Sequence, residues 1–207
     1  MGLDKYKISD TTEVEKLTYY NENNQPVGTV NRREGIERGL LLEAVQLWVI
    51  NPKTNEVLMQ RRSKQKANNP GKLDVSVSGH VKPDETPTQA MLREAKEEIG
   101  LKDSEQLYRL MDKIAEDKIN LADFGGKGRY IIHFYMVFLT NSIDSYVKQD
   151  SEVEELFFMN YEELKKRVRN GDKEILIPNS KKAEKIFSLL DEKIQKRNQN
   201  KGKEMID

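Results

Sequence analysis

One short segment, residues 79–101, constrains this chain of 207 residues more than any other part of it. Thr86 can cap a helix, Pro87 fits a first helical turn, and Gln89 stands three residues after the cap, where it completes a capping box. Gly100 is well placed to end the helix, because glycine readily adopts the left-handed conformation found there. The segment therefore predicts a glycine turn followed by a capped helix.

Three carboxylates share one face of this predicted helix. Glu94, Glu97 and Glu98 stand at positions i, i+3 and i+4, so their side chains project within reach of a common ion. Their negative charges repel one another, and only Arg93 and Lys96 offset that repulsion locally. A hard cation such as Mg²⁺ or Mn²⁺, which prefers carboxylate oxygens, would offset it further. The alternative is a solvated surface helix rich in Glu and Lys.

The order of the residues discriminates between these two interpretations. The segment reads G-x5-E-x7-R-E-U-x-E-E-x-G-U, and the defined positions are occupied by Gly79, Glu85, Arg93, Glu94, Ala95, Glu97, Glu98, Gly100 and Leu101. This pattern is similar to the signature of the Nudix hydrolases, in which the position of Ala95 more often holds a bulkier aliphatic residue. Chance agreement at all nine positions in such a chain has a probability on the order of one in a million or less. The order therefore favours the metal-binding interpretation.

The resemblance implies a loop–helix–loop in which the three glutamates hold Mg²⁺ or Mn²⁺, with the Gly79 carbonyl as a further ligand. Arg93 would orient a metal-binding glutamate through a charge-assisted bond, and Glu85 would brace the loop. Glu94 or Glu97 would position or deprotonate the attacking water, and the sequence leaves both open. A carboxylate-held cation neutralises phosphate oxygens and acidifies a bound water, so the implied reaction is hydrolysis of a diphosphate bond.

A second resemblance lies upstream. Residues 60–71 and 77–80 are similar to the branch of the superfamily that contains isopentenyl diphosphate isomerase. That resemblance implies that Arg62 and Lys66 bind the substrate diphosphate, the first as a planar fork of donors and the second as a mobile charge. An ordinary basic loop is the alternative. Ser78 stands where the isomerase has its catalytic cysteine, and the chain contains no cysteine.

Other isomerase residues are also missing. The isomerase's two remaining metal-binding histidines would fall near Gly35 and Leu42, and its acidic pair would align with Ile131 and His133. Isomerisation moves protons to and from carbon, so loss of the thiol and the glutamate removes the groups that move them. We therefore expect a hydrolase of a nucleoside diphosphate derivative or a related organic diphosphate. Isopentenyl diphosphate isomerase activity and a non-catalytic nucleotide-binding sensor are the alternatives.

The chain has two histidines, and each has two interpretations. His80 follows the turn glycine, where it would contact substrate or make a plain loop hydrogen bond. His133 lies in a strand-like run, residues 130–139, whose alternation sends it to the same face as Tyr135. There it would act as a base or substrate contact, or as a structural histidine whose ring nitrogens are hydrogen-bonded within the sheet. The acidic cluster at residues 152–155 would supply an extra metal ligand or base, as in many Nudix proteins, or be simply solvated, and we favour solvation.

Composition narrows the class of protein. Lys plus Arg and Asp plus Glu are equal at 35 each, which argues against a broad nucleic-acid surface. No apolar run approaches membrane-spanning length, and the first residues lack the apolar core of a signal peptide. The absence of cysteine fits a reducing compartment. We expect a cytoplasmic enzyme with a small-molecule diphosphate as its partner, and a homodimer is left open.

The expected fold is α+β. The Nudix resemblance implies a mixed β-sheet between α-helices, with an N-terminal β-hairpin and a C-terminal helix as additions. The expected division is an N-terminal extension and hairpin at 1–40, a Nudix domain at 41–170, and a C-terminal helix and tail at 171–207. Residue patterns predict strands at 16–20, 27–31, 44–50, 56–60, 74–77, 106–115, 130–139 and 154–159, and helices at 33–42, 161–169 and 180–196, with residues 198–207 fraying.

Overall fold

A computed structural model of the protein describes residues 15–66, 68–124 and 127–204. These residues form nine strands and five α-helices. The strands are β1 (Lys16–Tyr20), β2 (Pro26–Asn31), β3 (Leu41–Asn51), β4 (Glu56–Arg62), β5 (Leu73–Asp74), β6 (Val77–His80), β7 (Asp112–Asn120), β8 (Arg129–Phe138) and β9 (Val153–Asn160). The helices are α1 (Arg32–Glu37), α2 (Pro87–Ile99), α3 (Ser104–Leu110), α4 (Tyr161–Arg169) and α5 (Lys181–Glu204). Among these helices, none is both long and apolar enough to cross a bilayer.

Strand β3 organises a mixed sheet. It runs parallel to β8 over ten paired residues and antiparallel to β6 on its other side. Strand β7 extends the sheet beyond β8, and the end of β3 turns into β4, which pairs with β5 and β9. The N-terminal hairpin joins the same sheet where Tyr20 of β1 pairs with Leu41 of β3.

Alternation along β3 divides the core into two layers. Val45 and Leu47 pack beneath helix α2, while Trp48 and Ile50 on the opposite face contact helices α4 and α5. All four side chains are buried, as expected for a central strand covered on both faces. The sheet therefore lies between helices, and the expected α+β fold is confirmed.

Several predicted elements agree with the structure and others do not. The N-terminal hairpin, the strand now called β8 and helix α4 are confirmed. The helix predicted at 33–42 ends at Glu37, because Leu41 and Leu42 are buried as the first residues of β3. The strand predicted at 74–77 is divided between β5 and β6.

Two further predictions were wrong in the second half of the chain. The strand predicted at 106–115 is helix α3 followed by β7, and Asp103 caps that helix by accepting a hydrogen bond from the Gln106 amide at 2.8 Å. The C-terminal helix, predicted to end at residue 196 and then fray, continues to Glu204. Local capping outweighed the strand pattern in α3.

Candidate active site

Helix α2 has the boundaries that its sequence predicts. The Thr86 amide donates to Oε1 of Gln89 at 2.8 Å, and the Gln89 amide donates to Oγ1 of Thr86 at 3.3 Å, which completes the capping box. Gly100 follows the helix with φ of 72°, a left-handed conformation that favours glycine. The local signals therefore fix the axial position of the three glutamates on α2.

Gly79 lies directly beneath Glu94. Gly79 pairs with Val45 on β3, and its missing side chain would point toward helix α2. A Cβ atom there would lie 2.1 Å from Cδ and 2.2 Å from Oε1 of Glu94, far closer than real contacts allow. A glycine at position 79 therefore lets the Glu94 carboxylate lie against the backbone of β6.

Glu98 is a buried carboxylate with two donors. Its relative exposure is 6%, and its Oε2 accepts hydrogen bonds from Nε2 of Gln60 at 3.0 Å and from the Ser78 amide at 3.1 Å. Burial raises the pKa of Glu98 to about 8 and the pKa of Glu94 to about 7, and neighbouring carboxylates add to both shifts. Both groups therefore lack sufficient positive charge nearby when they are ionised.

Arg93 connects the signature residues to one another. Its Nε and Nη2 donate to the two carboxylate oxygens of Glu85 at 2.6 and 2.9 Å. Its Nη1 donates to Glu94 at 2.7 Å and to Glu97 at 3.1 Å. Its Nη2 also reaches the carbonyl oxygen of His80 at 3.0 Å. The planar guanidinium thus fixes Glu94 and Glu97 relative to the loop that carries Glu85 and His80.

The donor set fits a hard divalent cation, although the glutamates do not converge as they stand. Glu97 is 46% exposed and turned toward Arg93, and across the described ranges no three acidic or histidine side chains meet at one point. The Glu94 side chain, in contrast, is only 12% exposed and Glu98 is buried, and both carboxyls have raised pKa values. They also lie toward the C-terminal end of α2, where the helix dipole disfavours negative charge. A cation would supply the missing opposite charge once Glu97 turned inward.

Cationic side chains surround His80. His80 is half-buried, and desolvation lowers its pKa well below the usual value. The positive charges of Arg32, Lys66, Arg93 and Arg62 lower that pKa further, in that order. His80 is therefore neutral, and the space around its ring favours an anion.

All four of these cations have acidic partners in the structure, including those that belong to β4 and the segment after it. Nη1 of Arg62 lies 3.3 Å from Oδ2 of Asp74, and the Lys66 ammonium pairs with Glu152. The remaining carboxylates of the cluster at 152–155 also form ion pairs, namely Lys64 with Glu154 and Arg61 with Glu155. The cluster therefore stays partly exposed and is paired with basic residues at the end of β4 and in the segment that follows it.

Sequence reasoning did not select Arg32. This residue begins helix α1, its amide donates to the Glu15 carbonyl at 2.8 Å, and its guanidinium lies 3.1 Å from Oε2 of Glu15. Its charge acts on His80 and on Tyr130. The signal in the sequence was a pair of arginines directly after the predicted hairpin, but only the fold brings the first of them to the site.

His133 occupies the interior of the sheet and is 5% exposed. Its Nε2 lies 2.6 Å from Oε1 of Glu43, and its Nδ1 lies 3.1 Å from Oε2 of Glu116. The second contact lacks hydrogen-bond geometry. Alternation places His133 on the same face as Tyr135, while His80 follows Gly79 and so points to the opposite face. The structure does not bring the two histidines together.

Comparison with known proteins agrees with this fold and site. The family model described as the NUDIX domain matches residues 40–177, so the chain belongs to the Nudix family. Its relatives include several Nudix hydrolases, and the protein is accordingly a Nudix-type hydrolase. Enzymes of this family generally use divalent metal ions.

Two relatives cover most of the chain. Isopentenyl-diphosphate Delta-isomerase 1 of Photorhabdus laumondii is 29% identical over 163 residues, which cover 77% of this chain and 87% of that protein. An uncharacterised Nudix hydrolase of Clostridium acetobutylicum is 28% identical over 162 residues, 76% of each chain. The sequence thus resembles both a hydrolase and an isomerase of the family.

Two solved structures share the fold. A Deinococcus radiodurans protein has a TM-score of 0.60 with 24% identity, covering 76% of this chain and 90% of its own. The NUDIX domain of Shewanella oneidensis NrtR, solved in complex with ADP ribose, has a TM-score of 0.52 with 14% identity, covering 74% and 87%. At these identities the likeness concerns the fold alone.

Proposed function

We propose that this protein is a Mg²⁺- or Mn²⁺-dependent hydrolase that cleaves the diphosphate bond of a nucleoside diphosphate derivative or a related organic diphosphate. The observation that carries the proposal is the pairing of two largely desolvated carboxylates, the half-buried Glu94 and the buried Glu98, with a cation-rich space around His80. The first feature suits a divalent ion and the second suits the phosphate groups of the substrate.

Four groups would hold the ion. These are the carboxylates of Glu94, Glu97 and Glu98 and the carbonyl oxygen of Gly79. When bound, the ion neutralises phosphate oxygens and acidifies a coordinated water. Glu94 or Glu97 would then accept a proton from the attacking water.

Arg93 acts on the reaction through the glutamates that it holds. Its fork on Glu85 fixes the guanidinium, which in turn positions Glu94 and Glu97. Glu85 also accepts a hydrogen bond from the Lys82 amide at 3.2 Å, so the loop before α2 is braced from both sides. We expect both residues to affect metal affinity and turnover without touching substrate.

Substrate phosphates would bind to the cations near His80. Arg62 and Lys66 are the proposed diphosphate ligands, and Arg32 extends the same positive region from the N-terminal side. His80, held neutral by burial, can donate one hydrogen bond. A substrate contact by His133 stays a prediction, and its burial between two carboxylates favours the structural role.

Isomerase activity is a second candidate, because a relative that covers most of this chain is named isopentenyl-diphosphate Delta-isomerase. Ser78 at the position of the isomerase thiol argues against it. Incubation with isopentenyl diphosphate separates the two reactions, since a shifted double bond would contradict our proposal and released phosphate would support it.

A substrate panel tests the proposed hydrolysis. Purified protein with Mg²⁺ or Mn²⁺ would be incubated with ADP-ribose, nucleotide sugars, dinucleotides, nucleoside triphosphates and coenzyme A. Monophosphate or phosphate release from at least one compound is expected. Glu97→Gln should lower that turnover at least about a hundredfold. The control is Glu105→Gln on helix α3, whose carboxylate is 75% exposed and pairs with Arg109.

Two neighbouring lysines provide a matched test of the phosphate site. Lys66 is 16% exposed and its charge acts on His80, whereas Lys64 is 79% exposed and pairs with Glu154. We expect Lys66→Ala to raise KM about tenfold and Lys64→Ala to leave it unchanged. Equal KM values in the two variants would show that Lys66 does not bind the substrate phosphates.

If the protein bound compounds of the panel but cleaved none of them, that result would instead favour a non-catalytic nucleotide-binding sensor.

A further inference from the structure

A row of polar side chains crosses four strands on the face of the sheet that carries helix α2. The Tyr20 hydroxyl on β1 donates to Oε2 of Glu43 on β3 at 2.5 Å, and Oε1 of Glu43 lies 2.6 Å from Nε2 of His133 on β8. His133 then faces Glu116 on β7. The side chains of Glu43 and His133 are 12% and 6% exposed, so water contributes little to satisfying them.

The row reaches an element that shares few backbone pairs with the main sheet. Within the described part of the chain, strands β1 and β3 form a single residue pair, Tyr20 with Leu41, whereas β3 and β8 pair over ten residues. Side chains therefore supply most of the attachment of the N-terminal hairpin. Leu17 and Val30 pack into the core, Glu22 pairs with Arg129 on β8, and the Tyr20–Glu43 bond lies beside the residue pair that joins β1 to β3.

This hairpin carries a residue of the candidate site. Arg32 directly follows β2, and its backbone amide is bonded to the Glu15 carbonyl at the start of β1. The position of the hairpin therefore sets the position of the Arg32 guanidinium, whose charge acts on His80. A shift of the hairpin would move Arg32 relative to Arg62 and Lys66, which belong to the main sheet and its following loop.

We propose that Tyr20, Glu43 and His133 form a clasp that fixes the N-terminal hairpin against the catalytic sheet and thereby positions Arg32. His133 is in this view a positioning residue that acts through Glu43. Glu43 is buried, so it needs donors on both oxygens, and each partner of the clasp supplies one. Burial and the Glu43 carboxylate raise the pKa of Tyr20, which keeps its hydroxyl proton available for donation.

Hydrogen–deuterium exchange of the full chain tests the clasp directly. Tyr20→Phe and His133→Gln should each accelerate exchange in residues 16–31 about tenfold or more, because a hydrogen bond to a charged group shifts a local opening equilibrium by at least that factor. The matched control is Tyr19→Phe on the same strand, whose ring packs against Gly28. The amides of residues 16–31 in this variant should exchange at the same rates as in the unsubstituted protein.

Two exchange results would overturn the proposal. One is unchanged protection of residues 16–31 in both Tyr20→Phe and His133→Gln. The other is that Tyr20→Phe accelerates exchange equally in β3, in β8 and in the hairpin, which would show general loosening of the sheet. The Tyr20 variant matters most here, because His133 lies inside β8 and its replacement can disturb that strand by itself.

Calorimetric titration with inorganic pyrophosphate and Mn²⁺ tests the effect on Arg32, and this part rests on the proposed function. We expect Tyr20→Phe to weaken pyrophosphate binding about threefold or more and Tyr19→Phe to leave it unchanged. If Tyr20→Phe loosened the hairpin but left the pyrophosphate affinity unchanged, the proposal that the clasp positions Arg32 would be overturned. Failure of the unsubstituted protein to bind pyrophosphate would count against the proposed function, while the exchange results would still decide the clasp.

Discussion

Replacing Gly79 with alanine tests the contact on which the candidate metal site depends most directly. The new Cβ would lie 2.1 Å from Cδ of Glu94, and ordinary contact begins at 3.4 Å, so the carboxyl group would have to retreat by about 1.3 Å (3.4 − 2.1). Metal ligands tolerate displacements of only about 0.2 Å. Glu94 would also lose its 2.7 Å bond to Arg93. We therefore expect Gly79→Ala to weaken Mn²⁺ binding and to lower turnover roughly a hundredfold.

The same substitution should cost little stability, because the atoms that the new Cβ meets belong to the end of the flexible Glu94 side chain, which can turn away. Gly171→Ala is the control, because its φ of 69° strains an alanine while its Cβ would meet open space. It should lose about 1–2 kcal/mol of stability but keep its turnover and Mn²⁺ affinity.

The measurements are calorimetric Mn²⁺ titration, turnover of whichever panel compound is cleaved, and thermal unfolding. Gly79→Ala with normal Mn²⁺ affinity and normal turnover would refute the reasoning, because Glu94 could then leave its position without consequence. Loss of turnover in both glycine variants would also refute it, since the effect would follow from stability alone.

Two other predictions follow from the charges of the site. Arg93→Lys should lower Mn²⁺ affinity and turnover about 10- to 100-fold. An ammonium group cannot make the two parallel hydrogen bonds to Glu85 and hold Glu94 at the same time. A calorimetric Mn²⁺ affinity equal to that of the unsubstituted protein would contradict this prediction. The raised pKa values of Glu94, about 7, and Glu98, about 8, mean that the folded protein retains protons which the unfolded chain releases near pH 4.5. With EDTA present, Tm should therefore fall as pH rises from about 5 to 8, and saturating Mg²⁺ should reduce this slope; a flat or rising Tm in EDTA would argue against the raised values.

Local signals were sufficient for the central helix. Thr86, Gln89 and Gly100 act on backbone groups within a few residues of themselves, so the sequence determined where α2 begins and ends. The same spacing put Glu94 and Glu98 on one side of the helix. Helix α4, Tyr161–Arg169, was equally predictable, because the Asn160 side chain caps it by accepting hydrogen bonds from the Glu162 and Glu163 amides.

Apolar runs were ambiguous where the partner strand decided the outcome. Leu41 and Leu42 suited the end of a helix as well as the start of a strand, and pairing with residues 129 and 130 of β8 selected the strand. Such pairing depends on residues almost ninety positions away in the chain, and periodicity over a short window cannot detect it.

The sequence by itself determined which residues could carry the chemistry, because cap, glycine and glutamate positions depend on spacing along one short segment. Only the tertiary structure decided the pKa values of these residues and the charges that lie around them. Burial against Gln60 and β6 raises the pKa of Glu98, and the hairpin brings Arg32 toward His80. These effects arise from desolvation and from charges on distant segments, and folding alone brings those segments together.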